Sequence, residues 1–249
     1  LHDKLVKDVL PSTLQLDEIW AYVFKKQGHL RDADPAEFGD QYTFVGLDAD
    51  HKLAVSYLTG KRTAESTRVF IADLRRRVLG KPQITTDGFK PYIDAIESAF
   101  GTKVHYGQAI KHFENEDVPD AVRRYSPGRL TSVDKHTVFG SPDEASMSTA
   151  YVERSNLTMR MGMRRFTRLT NAFSKKLDNL RAAVALHFGY YNFCRVHLTL
   201  RVTPAMEAGI TDHVWSVEEL IAAALEAYEA PPSLPPAIVR APPPRGAPF

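Results

Sequence analysis

Cysteine is almost missing from this chain: Cys194 is alone among 249 residues. A lone thiol excludes an internal disulfide and any zinc or iron–sulfur site that needs several cysteines. It suits a reducing compartment. Long hydrophobic runs are missing too. No apolar stretch approaches the ~18 residues of a membrane span, so no membrane partner is expected. Residues 1–12 mix charge and apolar side chains without a signal-peptide core. The expected location is therefore cytoplasmic. Net charge is also scarce: 32 Lys+Arg nearly balance 30 Asp+Glu, leaving +2. Taken whole, that figure argues against a polyanionic partner.

Counted by segment, it argues the reverse. Residues 1–150 are net −2, residues 151–201 net +8, and residues 202–249 net −4. Such asymmetry points to a nucleic-acid partner for the basic segment. The length allows one large domain or two small ones, with enough apolar material for a core.

Hydrophobic alternation over 13–23 (TLQLDEIWAYV) predicts a strand apolar on both faces, and so central in its sheet. Residues 24–40 read as a charged loop. Residues 41–48 and 52–59 predict a hairpin. Residues 63–79 predict a helix stopped by Gly80 and Pro82. A short strand at 83–86 follows, then a helix with Pro91 near its first turn, then a strand at 103–106. This order implies a mixed sheet with helices on its faces, an α/β fold. Residues 107–150 read as an irregular insertion with one candidate strand at 132–139. Helices are expected near 149–165, 174–193 and 216–228. Ser216 and Glu219 form a capping box for the last. The tail 231–249 has 8 prolines in 19 residues and is expected to be extended or disordered.

Three carboxylates stand out. Asp17 lies inside an apolar strand, where an ionised carboxylate is costly unless paired or metal-bound. Glu18 beside it points to the opposite face; an edge strand with both acids in solvent is the plain alternative. Asp87 stands where a strand ends and the chain turns at Gly88, the position where α/β folds bind ligands. A turn aspartate bonding its own backbone is the alternative there. Glu153 opens a basic helix on which Glu153, Asn156, Arg160 and Arg164 share one face. Val152, Met159, Met163 and Phe166 form an adjacent face suited to core packing. Arg164, Arg165, Arg168, Lys175, Lys176 and Arg181 can bind successive phosphates, which counterion release rewards. Carboxylates from two strands and a helix can hold two hard divalent cations.

At these residues the chain resembles bacterial insertion-sequence transposases of the DDE type, in the group around insertion sequence one. The likeness runs through LQLDEIWAYV, FVGLDADHKLAVSYLTGKRT, ITTDGFKPYIDAIESAFG and STAYVERSNLTMRMGMRRFTRLTNAFSKK. It ends in YYNFCRVHLTLRVTPAMEAGITDHVWSVEEL and spans about residues 12–225. The resemblance implies an RNase H-like catalytic core with Asp17, Asp87 and Glu153 as catalytic metal ligands. It implies Mg²⁺ as cofactor, with Mn²⁺ substituting, and double-stranded DNA as partner, both transposon ends and target. A homodimer or higher oligomer is implied for the synaptic complex. Asn156, Arg160, Arg164, Arg165, Arg168, Lys175 and Lys176 are the implied DNA contacts. Tyr191, Asn192, Arg195, His197, Thr203 and Pro204 match an ending seen in related transposases, which reads as structural or at most DNA-contacting.

The domain reading is a remnant at 1–12, a catalytic domain at 13–201, a helical extension at 202–230 and a Pro-rich tail. Family members usually carry an upstream helix-turn-helix, so this chain reads as N-terminally truncated. The implied activity is metal-dependent cleavage at transposon ends and strand transfer of the 3′-OH into target DNA. A nuclease without strand transfer and a non-catalytic DNA-binding remnant are the alternatives. His187, Cys194 and His197 suggest a metal site less well than a packed aromatic helix.

Overall fold

A computed structural model describes residues 1–114, 128–167 and 170–227. A short helix α1 (His2–Leu5) precedes β1 (Thr13–Val23), β2 (Gly39–Asp48) and β3 (Ala54–Gly60). Then come α2 (Ala64–Arg77), β4 (Gln83–Thr86), α3 (Pro91–Phe100), β5 (His105–Glu114) and β6 (Arg129–Phe139). The chain continues through α4 (Ala150–Gly162), α5 (Leu177–Gly189), a π-helical turn (Tyr190–Cys194), α6 (Pro204–Glu207) and α7 (Val217–Ala227).

The six strands form one mixed sheet in the order β3-β2-β1-β4-β5-β6. β1 pairs antiparallel with β2 and parallel with β4; β4 and β5 are parallel; β6 returns antiparallel on β5. Helices cover both faces, an architecture consistent with an RNase H-like fold. β1 lies between β2 and β4 over Thr13–Gln15; past Gln15 it pairs with β2 alone, so its acids sit at a local sheet edge, with Glu18 covered rather than in solvent.

The alternation of β1 divides two cores. Leu14 and Leu16 meet Phe44, Phe70, Leu74, Tyr92 and Ile96 on the α2/α3 side. Ile19, Ala21 and Val23 meet Val152, Met159, Phe166, Leu180 and Phe188 on the α4/α5 side. Gly46 permits the close approach of α2: a Cβ there would sit 3.2 Å from Leu74 and 3.3 Å from Leu16. α2 starts on Thr63, whose hydroxyl accepts the Ser66 N–H at 3.2 Å.

The segment read as irregular needs correction. Its described part holds most of β5 and all of β6, paired from Tyr106–Phe139 to Glu114–Arg129. Beyond its first residues the hairpin is largely exposed on both faces. No apolar face means no period-two signal. The first basic helix is also shorter than expected. It ends at Gly162, and residues Arg164–Phe166 form a separate 3₁₀ turn. Residues 115–127, 168–169 and 228–249 lie outside the described residues, and with them Arg168 and the Pro-rich tail.

The C-terminal ending has structural partners. The buried Asn192 amide accepts the Ala54 N–H at 3.0 Å and donates to the Ala54 carbonyl at 2.9 Å. The Tyr191 hydroxyl donates to the Lys52 carbonyl at 2.8 Å. Thr203 caps α6, and Ser216 and Glu219 cap α7 reciprocally. His187 packs against Phe188 and Tyr191, and burial pushes its pKa down to about 4. Asn192→Ala strands two buried backbone groups at the head of β3. It is expected to cost about 2–4 kcal/mol, read as a lower urea midpoint at unchanged m-value. An unchanged midpoint would refute this role.

Candidate active site

The site arises from a mismatch in strand length. β4 pairs with β1 only opposite Thr13, Leu14 and Gln15, and stops at Thr86. β1 runs on to Val23. Asp87 therefore leaves the sheet beside Asp17 and Glu18. Those neighbours point to opposite faces, as strand geometry requires. Asp17 takes a hydrogen bond from Asn156 Nδ2 of α4 at 2.9 Å. Glu18 Oε2 takes a hydrogen bond from Arg62 Nε at 3.1 Å and lies 3.0 Å from its Nη2, from the β3–α2 turn. Asp87, off the end of β4, reaches both. Carboxylate oxygens of Asp17, Glu18 and Asp87 all lie within 4.8 Å of one another.

Each acid is held differently. Asp87 Oδ1 accepts the Phe89 N–H at 2.9 Å, and Oδ2 lies 3.5 Å from Arg62 Nη2. The turn-aspartate alternative is thus correct as local geometry, and it leaves the other oxygen to the cluster. Glu18 is buried, which raises its pKa, and Asp87 adds to the rise. Burial, then the Glu18 charge, pushes Asp17 up to about 7. Tyr92 of α3 lies fully buried against Glu18, and burial raises its hydroxyl pKa well above ordinary. Neither the Tyr92 hydroxyl nor Glu18 Oε1 closes a hydrogen bond of standard geometry among the described residues.

Glu153 is not in this cluster. Both its oxygens accept from Lys111 Nζ of β5 at 2.5 Å, and one accepts from Thr149 Oγ1 at 2.6 Å. Its helix is nonetheless anchored next to Asp17. Gln15 Oε1 accepts the Tyr151 and Val152 N–H groups at 2.8 and 3.1 Å. Those are orphan donors of the first turn of α4. Gln15 and Asn156 thus tie α4 to β1 from either side of Glu153.

The basic residues divide. Arg160, Arg164, Lys175 and Lys176 are exposed. Lys175 stands 3.6 Å over the Phe173 ring. Arg165 donates to Ser174 Oγ at 2.8 Å. Asn156 is buried and donates its amide to Asp17. The shared helical face also ends early, because Arg164 lies beyond Gly162.

Sequence reasoning missed Arg62, Lys111, Gln15 and Tyr92. Arg62 carried a signal. A cation just before the first turn of a helix opposes the macrodipole, so an acid nearby was needed to explain it. Lys111 sat inside the segment read as irregular. Gln15 and Asp17, two residues apart, put a polar pair on one face of a central strand.

The donor set suits a hard divalent cation. It is all carboxylate oxygen; one buried oxygen closes no hydrogen bond of standard geometry among the described residues, and burial, then repulsion from Glu18, raises Asp17. No helix among the described residues is long and apolar enough to cross a membrane. No protein-family model matches the chain, and no curated protein matches it. Among solved structures, it is similar to a piggyBac transposase in a synaptic complex with hairpin DNA. The identity is 13%, the TM-score 0.35, and the match covers 72% of this chain. It covers 45% of the other, so the chain spans under half the length of that transposase.

Proposed function

We propose that the chain is a DNA transposase of the DDE type, related to the group around insertion sequence one. The observation that carries this reading is the convergence of Asp87 on Asp17 at the end of β4, beside a docked helix bearing Glu153. The motif resemblance and the order of strands support it. In this reading Asp17, Asp87 and Glu153 hold Mg²⁺ or Mn²⁺. When bound, the cations activate the attacking oxygen and neutralise charge on the leaving one.

The chain's own residues do the positioning. Asn156 fixes the Asp17 carboxylate, while Lys111 and Thr149 hold that of Glu153. Water attacks the phosphodiester at the transposon end. The P–O3′ bond breaks, leaving a 3′-OH on the transposon and a 5′-phosphate on the flank. That 3′-OH then attacks a target phosphodiester and displaces the target's 3′-oxygen. Partners in this reading are double-stranded DNA and further copies of the chain in a synaptic complex.

Arg160, Arg164, Lys175 and Lys176, with Arg165 and Arg168, follow the DNA backbone without reading bases. Replacing Arg160, Arg164 and Lys176 together by Ala should weaken DNA binding. It should also flatten the slope of log K against log salt by about 2.7. An unchanged slope would sink the backbone contacts.

The activity is tested with Mn²⁺, supercoiled plasmid and a duplex from the element's terminus carrying a pre-exposed 3′-OH. Joined products are expected, and Asp87→Asn should yield none. Cutting without joining would favour the nuclease, and no metal-dependent product would refute both.

A further inference from the structure

The acidic cluster holds one carboxylate that the resemblance leaves without a role. Glu18 leaves 3% of its side chain exposed. A carboxylate that deep needs a cation or a metal. Its Oε2 takes a hydrogen bond from Arg62 Nε and pairs with Nη2, and the Tyr92 hydroxyl of α3 faces the same carboxylate. Oε1 is buried and closes no hydrogen bond of standard geometry among the described residues. This carboxylate still lies within 4.8 Å of ligand atoms on Asp17 and Asp87, whereas Glu153 is occupied by Lys111 and Thr149.

Charge points the same way. Asp17, Glu18 and Asp87, when ionised, carry three negative charges against the Arg62 guanidinium. Two remain uncompensated, the charge of one divalent cation. All the donors are hard oxygens, which suit Mg²⁺ or Mn²⁺. Arg62 spans Glu18 and Asp87 and is the counter-charge present without metal. In the same position its guanidinium lies 4.0 Å from the Phe89 ring and 5.7 Å from that of Tyr42. Cation–π contact can hold it there once it leaves Asp87.

We propose that Glu18 is a third protein ligand of the divalent cation held by Asp17 and Asp87, and that this cation displaces Arg62 from Asp87. The inference rests on the reading of Asp17 and Asp87 as metal ligands. It makes the site asymmetric: one cation seated by Asp17, Glu18 and Asp87, with Glu153 left to the second.

Mn²⁺ titration of the full chain without DNA, followed by the electron paramagnetic resonance of free Mn²⁺, tests it apart from activity. Glu18→Gln should weaken binding at least tenfold. Glu18→Asp, which keeps the charge and withdraws the oxygens, should also weaken it. Arg62→Gln should tighten binding threefold or more by removing a competing cation. Binding within threefold of wild type in both Glu18 variants, with Asp17→Asn weakened, would overturn the inference and leave the underlying reading intact. Unchanged binding in Asp17→Asn as well would overturn both. Weaker binding in Arg62→Gln would overturn the displacement.

Discussion

Asp17→Asn should lower metal-dependent strand transfer by about 10³-fold or more, because it removes a charged ligand from the reacting cation. The same substitution should make the metal-free protein more stable, and the two effects together identify the site. Asp17 titrates at about 7 in the folded chain against an ordinary 3.8. Its folded pKa is raised, so folding takes up a proton between those values. The favourable contribution is complete below about pH 4 and is lost as pH rises to about 7. At pH 8, with chelator, the wild type then carries a penalty of about 2–4 kcal/mol that Asn does not. Thermal or urea unfolding in chelator at pH 5 and pH 8 reads this directly. Wild-type stability should fall across the window by more than that of Asp17→Asn, and added Mn²⁺ should restore it. A variant that keeps strand transfer would refute the catalytic role. A variant equally destabilised at both pH values would refute the buried-charge account.

This penalty also explains what was legible in the sequence. Asp17 was conspicuous because nothing in an apolar central strand justifies a carboxylate. Both of its neighbours in chemistry carried weaker signals. Asp87 looked like an ordinary turn residue, and locally it is one, with Phe89 N–H on one oxygen. Its second role depends on where β4 stops relative to β1, a property of pairing register and not of the residues around it. Glu18 was legible as a second buried acid, yet its partners Arg62 and Tyr92 come from 44 residues downstream and from α3. The β5–β6 hairpin was hidden for a different reason. Its exposed Lys, His, Thr and Ser side chains give no apolar face for periodicity to find. The basic segment was read well in composition and less well in geometry. A continuous helix put Asn156, Arg160 and Arg164 on one DNA-facing stripe. The break after Gly162 and the inward turn of Asn156 divide that stripe between site and surface.

Gln15→Leu should do the most damage of any change outside the acids. Gln15 is buried, and its Oε1 accepts two N–H groups from the first turn of α4. Leu fills a similar volume but accepts nothing. Two buried donors lose their partner, at about 2–4 kcal/mol in stability. The larger effect is on position. α4 carries Glu153 and Asn156, and its register on β1 is set by Gln15 at its start and Asn156 three residues beyond Glu153. A shift of about 1 Å in a reacting constellation costs on the order of 10²-fold in rate. Gln15→Leu should therefore lower the strand-transfer rate by about that factor at saturating Mn²⁺ and DNA. Gln15→Glu keeps an acceptor at the helix N-terminus, where negative charge is favourable. It should recover most of the rate at comparable folded fraction, which a merely destabilised core would not predict. Equal rates for Leu and Glu, once corrected for folded fraction, would show that α4 needs no such tether and that Asn156 alone fixes Glu153.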